Sequence, residues 1–326
     1  MDTLKKMSVL IIIFTVGQLC DMNSYAAEKV NLRLALKPNQ AFGVQLSTNQ
    51  QILRETEDST KKDSFVTIMG LDFFVKNVDP NGVASVKVTY RTLRIRTKRP
   101  GRYSAEYDST KQYVDMNKPF IPAEAGRVGL SFVMRVTPNG EVLKLNGIEQ
   151  MLLEMAENFM ALQDKAMTKK AREIVKSRYG SIENRRKGTI AKIKTAYGKD
   201  QVLDMLKYVM CAFPVRPVAI GDTWANNLKV LNRTHQIDVS YTLKDISNQI
   251  ATIHLSSKDV SIGMGSSKMI ALCQGVLEID TTTGWLVHSK VETQISHKSP
   301  NKDNEPKGSI NSVIAVTPIP SSYVNY

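Results

Sequence analysis

The sequence predicts an α+β fold, in which a large, mostly antiparallel sheet carries a central helical insert. Apolar and polar residues alternate with a period of two before residue 146 and again after residue 211, as in half-buried strands. The stretch between them has the 3.6-residue period of amphipathic helices. The 326 residues are 42% hydrophobic, enough for a sizeable core, and the composition excludes collagen, low-complexity disorder and disulfide-rich miniproteins.

The beginning of the chain is typical of a secretory signal peptide. Lys5 and Lys6 precede an apolar run at 7–16, which is too short to cross a bilayer core of ~30 Å. Small residues follow, and we expect cleavage after Ala26. The mature protein is therefore expected in the periplasm or outside the cell, without a transmembrane segment.

Removal of residues 1–26 would leave 27–326, which we expect to form a single β-rich domain. Cys20 raises the alternative of a lipoprotein, but Leu19 stands where lipidation requires a small residue. We therefore expect a cleaved leader and no lipid anchor.

The first β half is predicted over 31–146. Val86 and Val88 alternate with polar residues in one strand, and the apolar parity then changes, which predicts a β-bulge near 91–92. Asp-Pro-Asn-Gly at 79–82 is a strong turn sequence between two such strands.

The helical insert is predicted over 147–210. Met151, Met155 and Phe159 fall on one helical stripe together with other apolar residues. A methionine-rich stripe is usually plain core, because methionine fills gaps well, but it also suits the lining of a ligand pocket. The sequence leaves both interpretations open.

The second β half, predicted over 211–320, resembles the first. With one gap at Gly82, residues 71–88 align with 239–255 and keep the same apolar parity. The matched residues include Phe73 with Tyr241, Lys76 with Lys244, Phe42 with Trp224, and the hairpin glycines Gly140 with Gly284. Because the matches occur in the same order, we expect two copies of one β-meander that pair into a large curved sheet or partly open barrel.

The net charge of +13 lies in two local stretches, 91–102 with six bases and no acid, and 169–199 with eleven bases and two acids. The residues expected to form a basic patch are Arg91, Arg94, Arg96, Lys98, Arg99 and Arg102, with Arg185, Arg186 and Lys187 on the helices. Such a patch would bind an anionic envelope component, either lipid, polysaccharide or protein, or would be a solvated face. We expect no nucleic acid as partner of an exported protein.

Catalytic and metal-binding motifs are missing from the sequence. The histidines, His235, His254, His288 and His297, have no ligand spacing, and there is no GxSxG elbow. We therefore expect no enzyme, no metal and no cofactor. The alternative is a hydrolase whose site is assembled only in three dimensions.

Two cysteines remain after the leader, Cys211 and Cys273. An oxidising compartment favours a disulfide between them, but sequence does not fix their distance. They are expected either to pair or to remain two buried thiols.

Three stretches together resemble a known family. They are Val-Thr-Pro-Asn-Gly-Glu-Val leading into a helix at 136–151, Phe-Pro-Val-Arg-Pro-Val-Ala-Ile-Gly-Asp-Thr-Trp at 213–224, and Tyr-Asp-Ser at 107–109. The chain is similar here to DUF6263, a family of exported bacterial proteins without an established activity, roughly from Leu34 to Lys290. The resemblance implies an exported bacterial protein and no particular chemistry.

A sheet packed on helices encloses space between its layers, which is where ligand sites occur. We expect a binding protein that holds a lipid or other apolar small molecule, in contact with Met151, Met155, Phe159, Val86, Val88 and Trp224. Trp224 also suits a core anchor. The alternative is an envelope or surface interaction module that uses the two basic stretches.

Overall fold

The computed structural model describes residues 29–56, 59–101, 103–111, 122–230, 235–258, 260–264, 267–298 and 308–322. The predicted leader, with Cys20, and Arg102 lie outside these residues. Thirteen strands form one antiparallel sheet, which is open rather than closed. The strands are β1 (Ala41–Thr56), β2 (Ser59–Val78), β3 (Ala84–Arg99), β4 (Tyr103–Asp108), β5 (Ser131–Val136), β6 (Val142–Asn146), β7 (Thr223–Val230), β8 (His235–Ser247), β9 (Ile250–Ser257), β10 (Val260–Met264), β11 (Ser267–Asp280), β12 (Leu286–Lys298) and β13 (Gly308–Ile319).

Along the chain, the helices lie between the two groups of strands, as the sequence predicts. They are α1 (Ile148–Ala166), α2 (Lys169–Tyr179), α3 (Ile182–Tyr197) and α4 (Lys199–Leu206), and a short 3-10 helix (Ala123–Arg127) precedes β5. Thr168 and Ser181 accept hydrogen bonds from the first turns of α2 and α3, which fixes where those helices begin.

The strand order confirms the two meanders. Along the sheet the order is β6-β5-β3-β2-β1-β13-β12-β11-β9-β8-β7, with β4 on β3 and β10 on β11. The first half therefore runs β1-β2-β3-β5-β6 and the second β7-β8-β9-β11-β12, with the same neighbours in each. β13 pairs with both β1 and β12 and joins the two halves into one sheet.

The β-bulges repeat at matched positions. Lys76 is the extra residue in the β2–β3 ladder, and Lys244 is the extra residue in the β8–β9 ladder. The bulge expected near 91–92 is present at Arg91, and it keeps Leu93 buried on the core side of β3. A β-bulge at each of the two aligned lysines, Lys76 and Lys244, is expected if the two halves arose by duplication of one unit.

The segments that lead into β1 and β7 cross over to the opposite half. The Ala35 amide donates to the carbonyl of Thr283 at the β11–β12 hairpin (2.8 Å). In the same way, the Phe213 amide donates to the carbonyl of Asn139 at the β5–β6 hairpin (3.0 Å). Each half therefore completes the hairpin of the other, which ties the two repeats together.

The core lies between one face of the sheet and the helices. On the strand side, Val44, Leu71 and Phe73 are fully buried, and on the helix side the apolar stripe of α1 is buried along its length. α2 differs from the other three helices, since none of its residues is buried. In the described part of the chain, no helix is long and apolar enough to cross a membrane, and no three His, Cys, Asp or Glu side chains are grouped as metal ligands.

Candidate functional site

A cavity of about 220 Å³ lies between the sheet and the helices, and we call it the methionine cleft. β1, β2 and β3 form one wall, and α1, α3, α4 and the 3-10 helix form the other. The residues that line it are Leu46, Thr48, Met69, Tyr90, Arg127, Met151, Met155, Ala196, Tyr197, Gln201, Val202 and Met205. The sequence predicts a cleft at this place, with Met151 and Met155 in its wall.

The strand wall follows from register and pleat. Leu46 and Met69 are directly opposite in the β1–β2 ladder and therefore point to the same face. Tyr90 stands on the core side of β3 immediately before the bulge and is almost completely buried. Strand alternation thus delivers a largely apolar wall, in which Thr48 and Tyr90 carry the hydroxyls.

The helix wall follows from helical spacing. Met151 and Met155 are four residues apart on α1 and share one face, and Val202 and Met205 are three apart on α4. The Tyr90 hydroxyl donates to the sulfur of Met205 across the cleft (3.9 Å). Methionine adapts its shape easily, so the three methionines of this wall, with Met69 opposite them, suit ligands of varied outline.

Arg127 provides the charge in this lining. Its guanidinium carbon lies 5.0 Å from the ring centroid of Tyr90 and 5.6 Å from that of Tyr197, both within cation–π range. Burial raises the pKa of Tyr90, and the nearby guanidinium partly opposes this shift. Burial also raises the pKa of Tyr197, with a further contribution from the Glu124 carboxylate. Both phenols are therefore neutral at physiological pH.

Three of the residues expected to touch the ligand lie elsewhere. Val86 and Val88 are fully buried in packed core and do not line the methionine cleft. Phe159 lines a separate cavity of about 420 Å³ between α1, α2 and α3. The helical stripe places Phe159 two turns along α1 from Met151, which carries its ring past the cleft.

Trp224 is the fourth such residue, and it is an anchor. Its indole Nε1 donates to the carbonyl of Ala212 (2.8 Å), and its ring stacks on Tyr241 with centroids 5.8 Å apart. These contacts hold the chain that leaves the helices against the start of β7. Trp224 is absent from the lining of the methionine cleft.

The basic stretch at 91–102 is largely neutralised by acids from neighbouring strands. Arg94 pairs with Asp108 of β4 (2.8 Å), and Arg96 pairs with Glu106 (3.3 Å). Hydrogen bonds from Thr110 and from Arg94 lower the pKa of Asp108 to about 2, although partial burial opposes the shift. These acidic partners could not be assigned from the sequence, because they lie on another strand and are distant from the arginines along the chain.

The remaining arginines of β3 are also engaged. Arg91 donates to the carbonyl of Pro320 (2.5 Å) and lies 3.8 Å from the buried carboxylate of Asp72. Arg99 stacks over the ring of Phe65 (4.9 Å) and contacts Asp63 at 3.9 Å. Lys98 is exposed. Most of the expected β-strand patch therefore stabilises the sheet surface.

The helical patch needs the same correction. Arg185 is buried and pairs with Asp164 of α1 (2.6 Å), so it is not part of an exposed basic face. Arg186 pairs with Glu157 (2.5 Å), while Lys187 remains exposed with only a long contact of 3.9 Å to Glu183.

Cys211 and Cys273 are both free and both buried, so the disulfide alternative is not realised. Burial raises the pKa of the Cys211 thiol to about 12 and also raises that of Cys273. Cys211 lies just after the helices and Cys273 lies in the middle of β11. Both belong to the buried core, and the Thr293 hydroxyl donates to the sulfur of Cys273 (3.6 Å). Two inert thiols are the result.

Several cleft residues were not identified from the sequence. Met69 and Met205 stand in otherwise ordinary strand and helix patterns, and only the fold brings them together. Arg127 is the last residue of the short 3-10 helix that precedes β5. A basic residue that ends such a short helix carries no signal of its own, so no sequence argument could have found it.

The fold and the cleft together define a class: a duplicated, open antiparallel sheet covered on one face by helices, with an apolar cavity between the layers. The chain belongs to DUF6263, a family of unknown function, whose family model matches residues 81–286. No curated protein matches the sequence significantly.

Solved structures with some similarity include a lipovitellin chain, from a study of lipid–protein interactions in that protein, at 8% identity and a TM-score of 0.48. The match covers 87% of this chain and 25% of the lipovitellin chain, so this protein spans about a quarter of its length. Another is the translocator domain of the autotransporter NalP from Neisseria meningitidis, at 6% identity and a TM-score of 0.21, covering 95% of this chain and 97% of that one.

Proposed function

We propose that this protein is an exported, non-enzymatic binding protein that holds an apolar ligand in the methionine cleft. The observation that carries the proposal is a cavity of about 220 Å³ lined by Met69, Met151, Met155 and Met205. The cleft is partly open, so apolar side chains of its lining remain in contact with water. An apolar ligand that covers them would remove this surface from water and stabilise the folded state.

The volume limits the ligand. It is below the range of roughly 300–1,000 Å³ typical of sites for drug-sized molecules. A cleft of this size suits a single alkyl chain rather than a bulkier apolar molecule. We therefore propose a medium-length alkyl chain, either of a small molecule or of one end of a lipid.

The cleft can be tested with 1-octanol as the probe. Isothermal titration of the chain that begins at residue 27 should show binding, and octanol should raise the melting temperature. Met205→Trp fills the cleft and should abolish both effects. Leu203→Trp is the matched control, because Leu203 is a partly buried residue of the same helix that lines a different cavity. The proposal fails if octanol does not bind, or if both variants bind it alike.

A second candidate function rests on α2. This helix carries five bases and one acid, and none of its residues is buried. Lys169, Lys170 and Lys176 form no ion pair with any described residue. Ile174 is 59% exposed, and Ile182 at the start of α3 is 79% exposed. Basic residues beside exposed apolar side chains suit the surface of an anionic bilayer.

Vesicle binding separates this candidate from a merely solvated face. Vesicles with 30% phosphatidylglycerol should bind the protein and release it as salt rises, whereas phosphatidylcholine vesicles should not bind. Lys169→Glu, Lys170→Glu and Lys176→Glu together should abolish binding. The matched control, Arg94→Glu with Arg96→Glu on the paired face of β3, should retain it. Equal loss in both variants, or no binding to anionic vesicles, would rule this candidate out.

A further inference from the structure

The backbone at Arg127 is positioned by close contact between the 3-10 helix and α1. A Cβ atom at Gly126 would overlap the carbonyl oxygen of Met155, so only glycine lets the 3-10 helix lie this close to α1. The side chain of Asn158 donates to the carbonyl of Gly126 (3.1 Å) and secures the contact. The guanidinium next in the chain is therefore fixed at the wall of the methionine cleft.

In the described part of the chain, Arg127 forms no salt bridge with an acid. Its guanidinium is hydrogen-bonded to the neutral hydroxyl of Tyr90, but its Nε atom is buried without a hydrogen-bond acceptor. Glu124, in the same short helix, is directed to the hydroxyl of Tyr197. Buried arginine N–H groups normally find an acceptor, because leaving one unsatisfied carries a desolvation penalty.

The neighbours of Arg127 define the shape of what it would bind. The rings of Tyr90 and Tyr197 flank the guanidinium, and both phenols stay neutral, so neither supplies a negative charge. A carboxylate offers two oxygens that match the planar fork of arginine. The same lining continues into Met155 and Met205, which offer only apolar contact.

We infer that the ligand of the methionine cleft is a medium-chain carboxylate, with its head on Arg127 and its alkyl chain among the methionines. This inference rests on the proposed function, since it assigns the polar end of the same ligand. Arg127 is the one charged side chain among the described residues of the lining, which suits a monoanion, and the small cleft suits a single alkyl chain. Arg127 then contributes specificity, while the methionines contribute most of the affinity.

Octanoate and 1-octanol, which differ only in the head, test the inference by isothermal titration at pH 7.5. The wild-type protein should bind octanoate at least about tenfold more tightly than octanol, because hydrogen bonds to charged groups exceed neutral ones. Arg127→Gln should weaken octanoate binding about tenfold to a hundredfold and should weaken octanol binding much less. Arg127→Lys keeps the charge but loses the planar fork of the guanidinium, so its affinity for octanoate should lie between those of the wild type and Arg127→Gln. Arg94→Gln, an arginine on the exposed face of β3, is the control and should change neither.

Each result separates the inference from the function on which it rests. Equal affinities for octanoate and octanol in the wild type, or equal weakening of both by Arg127→Gln, would overturn the assignment of the head group and leave the apolar cleft standing. Absence of binding by both probes would overturn the cleft and the head group together. The comparison of octanoate with octanol uses only the wild-type protein. The inference therefore remains testable even if Arg127→Gln does not fold.

Discussion

Trp224 lies directly opposite Tyr241 across the β7–β8 ladder, and Phe42 lies directly opposite Phe73 across the β1–β2 ladder. Each pair stands at the same place in its repeat, where the first strand of the meander begins. Trp285, from the second repeat, stacks on Phe42 with centroids 4.2 Å apart and so links the first pair to the other half. These aromatic pairs are structural anchors of a duplicated unit.

The first prediction concerns Trp224. Trp224→Phe keeps the ring on Tyr241 but loses the hydrogen bond to Ala212, and it should lower the free energy of unfolding by about 1 kcal/mol. Trp224→Ala also loses the ring and should cost about 2–3 kcal/mol, less than a fully buried tryptophan because Trp224 is only partly buried. Urea unfolding measures both values.

Binding distinguishes an anchor from a ligand contact. Both Trp224 variants should bind octanol like the wild type, at a temperature where they are folded. Reduced octanol affinity in Trp224→Phe, with stability unchanged, would instead show that Trp224 contacts the ligand.

Much of the fold could be predicted because it depends on local patterns. Period-two alternation located the strands, and the ordered matches between the halves correctly predicted equal strand order. The parity change near 91–92 placed the bulge at Arg91. The role of β13 was not predicted, because pairing with both β1 and β12 depends on which edges meet and not on its own sequence.

Less of the site could be predicted, because a site joins residues distant in sequence. Met151 and Met155 were found since they share one helical stripe, but Arg127 and Met205 meet them only in the folded chain. The basic stretch at 91–102 was misjudged for the same reason: its acidic partners lie on β2 and β4. A stretch of basic residues in one strand does not indicate which acidic residues the neighbouring strands carry.

The second prediction concerns the ion pair between the buried Arg185 and the half-exposed Asp164. Arg185→Ala removes the pair and leaves a space between α3 and α1, so it should lower the free energy of unfolding by about 1–2 kcal/mol. The cost stays below that of a fully buried pair, because solvent screens the carboxylate of Asp164. Lys192→Ala, an exposed base of the same helix, should stay within about 0.5 kcal/mol. Similar urea midpoints for the two variants would place Arg185 among the surface charges.

The third prediction concerns the thiols. Because burial raises the pKa of Cys211 to about 12 and also raises that of Cys273, neither forms appreciable thiolate at pH 8. The native chain from residue 27 onward should therefore react with Ellman's reagent only on unfolding, and in urea it should release two equivalents. Fewer than two thiol equivalents in urea without reductant would show that the two cysteines form a disulfide. Fast reaction of the native protein with the reagent would contradict the burial of the thiols.

The same shift makes stability depend on alkaline pH, which is the fourth prediction. The ordinary thiol pKa is 9.0, so above pH 9 the unfolded state loses a proton that the folded state keeps at Cys211 up to about pH 12. Tyr208, whose pKa burial raises from 10.0 to about 12, acts in the same direction. The contribution of these two groups to the free energy of unfolding should thus be constant below pH 9 and fall progressively between pH 9 and 12. Cys211→Ala should reduce this fall, and an unchanged slope in that variant would exclude Cys211 as a cause.

The fifth prediction concerns Gly284, where the first segment of the chain crosses onto the β11–β12 hairpin. Gly284 has a φ of 69°, and a Cβ atom there would overlap the carbonyl oxygen of Arg33. Gly180 is a matched control, since its φ is 71° but a Cβ atom would meet nothing within 4 Å. Gly180→Ala should cost only the backbone strain, about 1–3 kcal/mol.

Gly284→Ala should cost about 1–3 kcal/mol more than that, because it must also push the crossing segment away. The displaced segment includes Ala35, whose amide donates to the carbonyl of Thr283 (2.8 Å). Hydrogen exchange at the Ala35 amide should therefore accelerate in Gly284→Ala and stay unchanged in Gly180→Ala. Equal costs and equal exchange in the two variants would mean that the crossing segment does not lock the two repeats together.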